Sequence, residues 1–173
     1  MYLSSCHGRM SMNEAEKRMH RICFTGHRPE LLTRTGYAVK KDLRRQIRRC
    51  VADGYSVFIS GMARGVDIWA AQEVLKLRTR GAAVRLICAC PYEGCEREWS
   101  KAWQRRYHRV LCAADLVRYI CPDYCPTCFR ARNEWMVDHA AAVIAVFNGS
   151  PGGTKNTVTY ARKKGVPITF IKG

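Results

Sequence analysis

Val57-Phe58-Ile59-Ser60-Gly61-Met62-Ala63-Arg64-Gly65-Val66-Asp67 is the stretch that decides the fold. β-branched and aromatic residues lead into two glycines. Beyond them Val66, Ala70, Val74 and Leu77 recur at helical spacing. A strand, a glycine loop and a helix in that order form the first part of a βαβ unit, and they set the backbone N–H groups of the loop at a helix N-terminus. The pattern repeats in both directions. Upstream, an apolar strand over 21–26 ends on Gly26, and a helix follows over 36–53. That helix carries Val39, Leu43, Ile47, Cys50 and Val51 on one face, basic residues on the other, and Gly54 as its stop. Downstream, strands are expected over 84–90, 116–120, 142–147 and 167–171, and helices over 65–79, 96–114, 129–139 and 154–164. The run 142–147 is apolar throughout, as a strand covered on both faces must be.

Strands alternating with helices imply an α/β fold: a Rossmann-like, doubly wound, mainly parallel sheet flanked by helices, with right-handed crossovers. Ligands of such sheets bind outside the carboxyl ends of the strands. The length of 173 residues suits a single domain over 21–173. The polar, Met-rich segment 1–20 is expected to be a flexible lead-in. No apolar run nears the roughly 18 residues that span a bilayer, and 1–20 lacks the apolar core of a secretory signal. The expectation is a cytoplasmic protein with no membrane partner. Thirty Lys and Arg stand against fourteen Asp and Glu, a net charge of +16. That surplus attracts polyanions, and nucleic acid and nucleotide phosphates are both candidates, because charge alone carries no specificity. Of ten cysteines, Cys23, Cys88 and Cys90 fall inside buried strands, so reduced thiols are expected rather than a disulfide framework. Cys121, Cys125 and Cys128 are weak metal candidates. A closed zinc site needs four ligands, with Cys112, His108 or His139 as the fourth, and the spacing fits a thiol-rich loop better than zinc.

Three strand ends carry the candidate site. In Thr25-Gly26-His27-Arg28-Pro29, Gly26 permits a tight turn, and Arg28 beside His27 presents a fork for a phosphate or carboxylate. The bland alternative is an ordinary turn with exposed side chains. In the central stretch, Ser60, Gly61, Arg64 and Gly65 surround a ready anion site. Asp67 falls in the first helical turn, either favouring the helix dipole or accepting hydrogen bonds from a ribose. In Asn148-Gly149-Ser150-Pro151-Gly152-Gly153-Thr154, Gly152 and Gly153 allow close backbone approach, and Thr154 suits an N-cap. Arg132 and Asn133, at the start of their helix, can point to the same mouth. Trp99, Trp103 and Tyr107 interleave with Arg97, Lys101, Arg105 and Arg106, as base-stacking residues or as one packed helix face.

The order T-G-H-R-P, S-G-M-A-R-G-V-D-x-W-A-A, P-Y, R-N-x-x-M-V-D and P-G-G-T, running from about Arg21 to Lys172, resembles the SLOG superfamily and most closely its YpsA-like branch. That superfamily includes the DNA-processing protein DprA and the Lonely guy phosphoribohydrolases. The resemblance implies a Rossmann-like domain that binds or senses a nucleotide-derived ligand: ADP-ribose, an NAD-like molecule or a nucleoside phosphate. It also implies pairing into a homodimer, and no cofactor is required. The hydrolases carry P-G-G-x-G-T-x-x-E, whose glutamate helps cleave the ribosyl bond. Here Lys155, Asn156 and Thr157 follow Thr154, and no Asp or Glu occurs after Asp138. Binding without catalysis is therefore the leading expectation, and the catalytic residues stay unassigned. Hydrolysis of a nucleotide ribosyl bond and DprA-like handling of single-stranded DNA are the alternatives.

Overall fold

The computed structural model describes residues 12–173. Its strands are β1 (Arg21–Gly26), β2 (Val57–Ser60), β3 (Arg85–Cys90), β4 (Leu116–Tyr119), β5 (Ala142–Phe147) and β6 (Ile168–Lys172). Its helices are α1 (Glu14–Met19), α2 (Gly36–Ala52), α3 (Val66–Thr79), α4 (Lys101–Ala113), α5 (Cys128–Asp138) and α6 (Gly153–Lys163). The strands form one sheet in the order β4-β3-β2-β1-β5-β6, every neighbouring pair parallel. Strand order reverses beside β1, which opens a crevice between the carboxyl ends of β1 and β5.

Alternation along each strand builds two cores. Ile22, Phe24, Phe58, Leu86, Ile144 and Val146 face the layer of α2, α3 and α4. Cys23, Ile59, Ala89, Val143 and Ala145 face α5 and α6, where Met136, Val137, Val158 and Ala161 meet them. Phe24 and Phe58 stack with centroids 5.9 Å apart, each fully buried, and each contributes about 1.5–3 kcal/mol of transfer free energy. β5 is buried on both faces, as its unbroken apolar run requires. Cys23, Cys88 and Cys90 are buried free thiols. No helix among the described residues is long and apolar enough to cross a membrane.

Three boundaries differ from the sequence expectation. The helix expected over 96–114 begins at Lys101. Turns closed by Arg97 N–H to Gly94 C=O and by Trp99 N–H to Glu96 C=O occupy the stretch before it. Thr154 is not the cap of α6. Gly152 takes the N-cap position at φ +127, and Thr154 is buried in the first turn. Within the 1–20 segment expected to be flexible, α1 forms, with a capping box between Asn13 and Glu16. Arg18 Nε ties it to the Ala140 carbonyl at 3.0 Å. Residues 1–11 lie outside the described residues.

Candidate functional site

A cavity of about 410 Å³ opens at the carboxyl ends of β1, β2, β3 and β5, within the size range of sites for small ligands. Of the residues singled out in the sequence, Gly26, His27, Arg28, Gly61, Arg64, Asp67, Arg132, Asn133, Gly152, Gly153 and Thr154 all line it. Two do not. Ser60 Oγ donates to the Asp67 carbonyl at 2.9 Å and accepts from Met62 N–H at 3.2 Å, so it braces the loop. Gly65 opens α3 at φ +101. A Cβ there would sit 2.7 Å from Pro29 Cδ, so the position needs glycine for conformation and for space.

Gly61 is the floor. A Cβ built on it would lie 2.6 Å from Arg132 Nη1 and 2.8 Å from Asp67 Oδ2. The bare backbone lets an acid and a base converge over one point. Both are buried, at 4% and 5% exposure, yet they form no ion pair within 4 Å. Asp67 Oδ2 accepts a hydrogen bond from Ala63 N–H at 3.3 Å. Burial pushes its carboxyl up to about 6, against the pull of the Arg132 charge and the Ala63 N–H. Arg132 Nε donates to Asn133 Oδ1 at 2.8 Å, while its buried Nη1 has no partner among the described residues. Arg132 is the fifth residue of α5, in its second turn rather than at its start. That depth is what carries its guanidinium over Gly61.

His27 Nε2 is the second buried polar atom without a partner at this cavity. The ring stacks on Phe147 at 5.5 Å. Burial lowers its pKa, against a hydrogen bond to Asn148, so the ring is neutral at pH 7. Arg64 pairs with Glu30. The N-termini of α3 and α6 both border the cavity, and neither receives a side-chain cap. Their first N–H groups and their dipoles favour an anion. Gly153 is exposed, and the nearest atom to a Cβ there is Asn133 Nδ2 at 3.8 Å.

Sequence reasoning missed most of the apolar wall, Leu31, Cys95 and Phe129; Trp99, named there as a base-stacking or packed-face residue, completes it. Trp99 packs edge-on to Tyr107 at 5.5 Å, and Phe129 edge-on to Tyr92 at 6.1 Å. Met62, also lining the cavity, holds φ +57, a left-handed conformation that is rare outside glycine and concentrated at functional sites. Of the helix face expected from Trp99, Trp103 and Tyr107, Tyr107 is core and Trp99 belongs to the cavity. Among the described residues no group of three His, Cys, Asp or Glu is placed to hold a metal ion.

Residues 22–172 match the YspA SLOG family. The chain belongs to it. A UPF0398 protein of Halalkalibacterium halodurans is 29% identical over 129 residues, 73% of this chain and 68% of that one. The SPbeta prophage-derived protein YoqJ of Bacillus subtilis is 33% identical over 118 residues, 61% of this chain and 69% of that one. A UPF0398 protein of Bacillus thuringiensis is 32% identical over 135 residues, 73% and 71% of the two chains. Among solved structures, DNA processing protein A from Helicobacter pylori, described for its single-stranded DNA binding mode, superposes with a TM-score of 0.64 at 18% identity. The match covers 92% of this chain and 68% of that one. At that identity the likeness is one of fold: the α/β, Rossmann-like sheet is common to both.

Proposed function

We propose that this SLOG domain binds a nucleotide-derived small molecule, a nucleoside phosphate or an ADP-ribose-like compound, in the cavity at the strand ends. The observation that carries the reading is the buried Nη1 of Arg132, without a partner among the described residues, set beside Gly61, with its neighbour Asn133 close to the exposed Gly153 at the start of α6. A phosphate there accepts from the guanidinium and from the open N–H groups of the helix. A sugar hydroxyl donates to Asp67, which otherwise accepts only from Ala63. The aromatic edges of Trp99 and Phe129 give a base an apolar wall. The reading is binding rather than turnover. Asp67 is the one carboxylate among the residues lining the cavity, and α6 presents Lys155, Asn156 and Thr157 where the related hydrolases carry their glutamate.

Calorimetric titration with AMP, ADP-ribose and NAD, on wild type and on Gly153→Asp, tests it. Gly153 has open space for a side chain, and an acid in the first helical turn favours the fold, so the variant stays folded while its carboxylate occupies the anion site. Saturable binding by wild type that disappears in the variant is the expected result. Equal binding by both, or none by wild type, refutes the assignment.

A further inference from the structure

We propose that the outer face of the α2–α3–α4 layer is a second, separate binding surface, which takes the phosphodiester backbone of nucleic acid. Its centre is a ridge of cations set over two indoles, of which Trp69 is buried beneath Lys40 and Trp103 is half-buried. Lys40 Nζ lies 4.6 Å over the Trp69 ring, Trp69 and Trp103 have centroids 6.3 Å apart, and the Arg106 guanidinium lies 4.9 Å over Trp103. The three helices thus bring their charges together across α3. Lys40 is partly desolvated there and is pressed by the like charges of Arg106 and Lys76, which lowers its pKa, with Glu73 the one acid opposing them.

Two acids within this layer, Glu73 and Asp42, are already engaged. Glu73 is held by Arg44 at 2.7 Å and Lys76 at 2.8 Å. Asp42 is held by Arg34 at 2.8 Å and Arg45 at 3.0 Å. Lys40, Lys41 and Arg48 on α2, and Lys101, Arg106 and Arg109 on α4, form no ion pair among the described residues. Cations converging without counter-charge repel one another, and a row of phosphates relieves that repulsion along the whole ridge. An anionic membrane fits the face poorly. Between the basic side chains the indoles are covered by cations; the layer's helices expose one large apolar side chain, Tyr37 on α2, and the others, among them Leu116, Tyr119 and Phe170, lie elsewhere. None of the cations of this ridge lines the strand-end cavity, so the two surfaces are separable by mutation.

The test is fluorescence anisotropy of a labelled single-stranded oligonucleotide, and of its duplex, across a salt series. The proteins are wild type, Lys40→Glu/Arg106→Glu and, as an equal charge change across the sheet on α6, Arg162→Glu/Lys163→Glu. Lys40→Gln/Arg106→Gln, with a thermal melt for every variant, guards against loss of fold. Each phosphate contact on a single strand adds about 0.7 to the log–log salt slope. Losing two contacts should flatten the slope by about 1.4 and weaken binding roughly 25-fold near 0.1 M salt, with the Gln pair moving the same way and the α6 pair close to wild type. Titration with AMP or ADP-ribose should be unaffected by the ridge variants, so a failure of the cavity reading stays distinct from a failure of this one. Absence of oligonucleotide binding overturns the proposal. So do equal losses from the ridge and α6 pairs, loss of oligonucleotide binding in Gly153→Asp, or ridge-dependent binding to anionic lipid vesicles alone.

Discussion

Asp67→Asn should make this protein more stable, and by an amount that depends on pH. The carboxyl is raised by burial from its ordinary 3.8 to about 6, after the attraction of Arg132 and the Ala63 N–H have acted on it. A pKa gap of that size corresponds to about 3 kcal/mol. The sign follows from proton binding. Between about pH 4 and pH 6 the folded state holds the Asp67 proton and the unfolded chain has released it, so stability falls as pH rises through that window. Above it the folded state carries the full penalty of a buried carboxylate. Asparagine keeps an oxygen for the Ala63 N–H and never ionises. The variant should therefore match wild type near pH 4 and exceed it by up to about 3 kcal/mol near pH 8. With a urea m-value of about 2 kcal/mol/M, the midpoint should shift upward by about 1.5 M. Urea titrations of both proteins at a series of pH values check this, and the difference curve isolates Asp67 from the other carboxylates. The competing view holds Asp67 and Arg132 to be a stabilising buried pair. It requires the variant to be less stable at pH 8, with an unpaired guanidinium left behind. A negative or pH-independent difference would refute the reasoning.

The other predictions concern the loops and the thiols. Gly61→Ala forces a methyl against Arg132 and Asp67. It should cost about 1–3 kcal/mol, read as a lower melting temperature, and abolish AMP or ADP-ribose binding in calorimetry; a variant that melts and binds as wild type would show the close approach to be unimportant. Gly152→Ala, at φ +127 with open space around it, should lose about 1–3 kcal/mol through backbone strain alone, while Gly153→Ala stays near wild type in the same melt. Hydrogen bonding from Thr127 lowers the Cys125 pKa, whereas burial raises those of Cys23 and Cys88. Timed iodoacetamide labelling followed by peptide mass mapping should find Cys125 modified well before Cys23 and Cys88, which react only on unfolding.

The sheet was legible because each strand is a short apolar run closed by a glycine or a turn, and the alternation with helices admits few topologies. The glycine loops were legible for the same reason: Gly61, Gly65, Gly152 and Gly153 stand where strands end and helices begin. The apolar wall was not. Trp99 and Trp103 are one helical turn apart, and periodicity alone places both on one helix. Gly94 at φ +80 instead turns the chain, and Ser100 adopts an extended conformation just ahead of Lys101. Trp99 is left in the loop, free to face the cavity. A serine before a basic helical run was the signal that reading passed over. Arg132 was found as a residue type but not as a position, because its depth depends on how α5 crosses the sheet. Ser60 closes β2 and Gly65 caps α3 just ahead of Asp67, and motif reading cannot separate residues that line a cavity from those that brace its loop.

The charges of the cavity argue against a purely structural origin. Several acids outside the cavity find partners: Glu73 and Asp42 each hold two cations, and Asp115 holds Arg78. With thirty Lys and Arg available, pairing is the easy outcome. Yet Asp67 and Arg132, the two most buried charges lining the cavity, approach over Gly61 without forming an ion pair, and among the described residues Arg132 Nη1 and His27 Nε2 have no partner. An unpaired buried polar atom costs about 1–3 kcal/mol, so the two at the cavity, Arg132 Nη1 and His27 Nε2, are a sizeable share of a fold margin of about 5–15 kcal/mol. A strand-end loop selected for stability alone would close that gap with one rotamer change or one apolar substitution. On the binding reading proposed above, a ligand that brings an anion to Arg132 and a hydroxyl to Asp67 satisfies both at once, and calorimetry on Gly153→Asp decides whether that is why they stand apart.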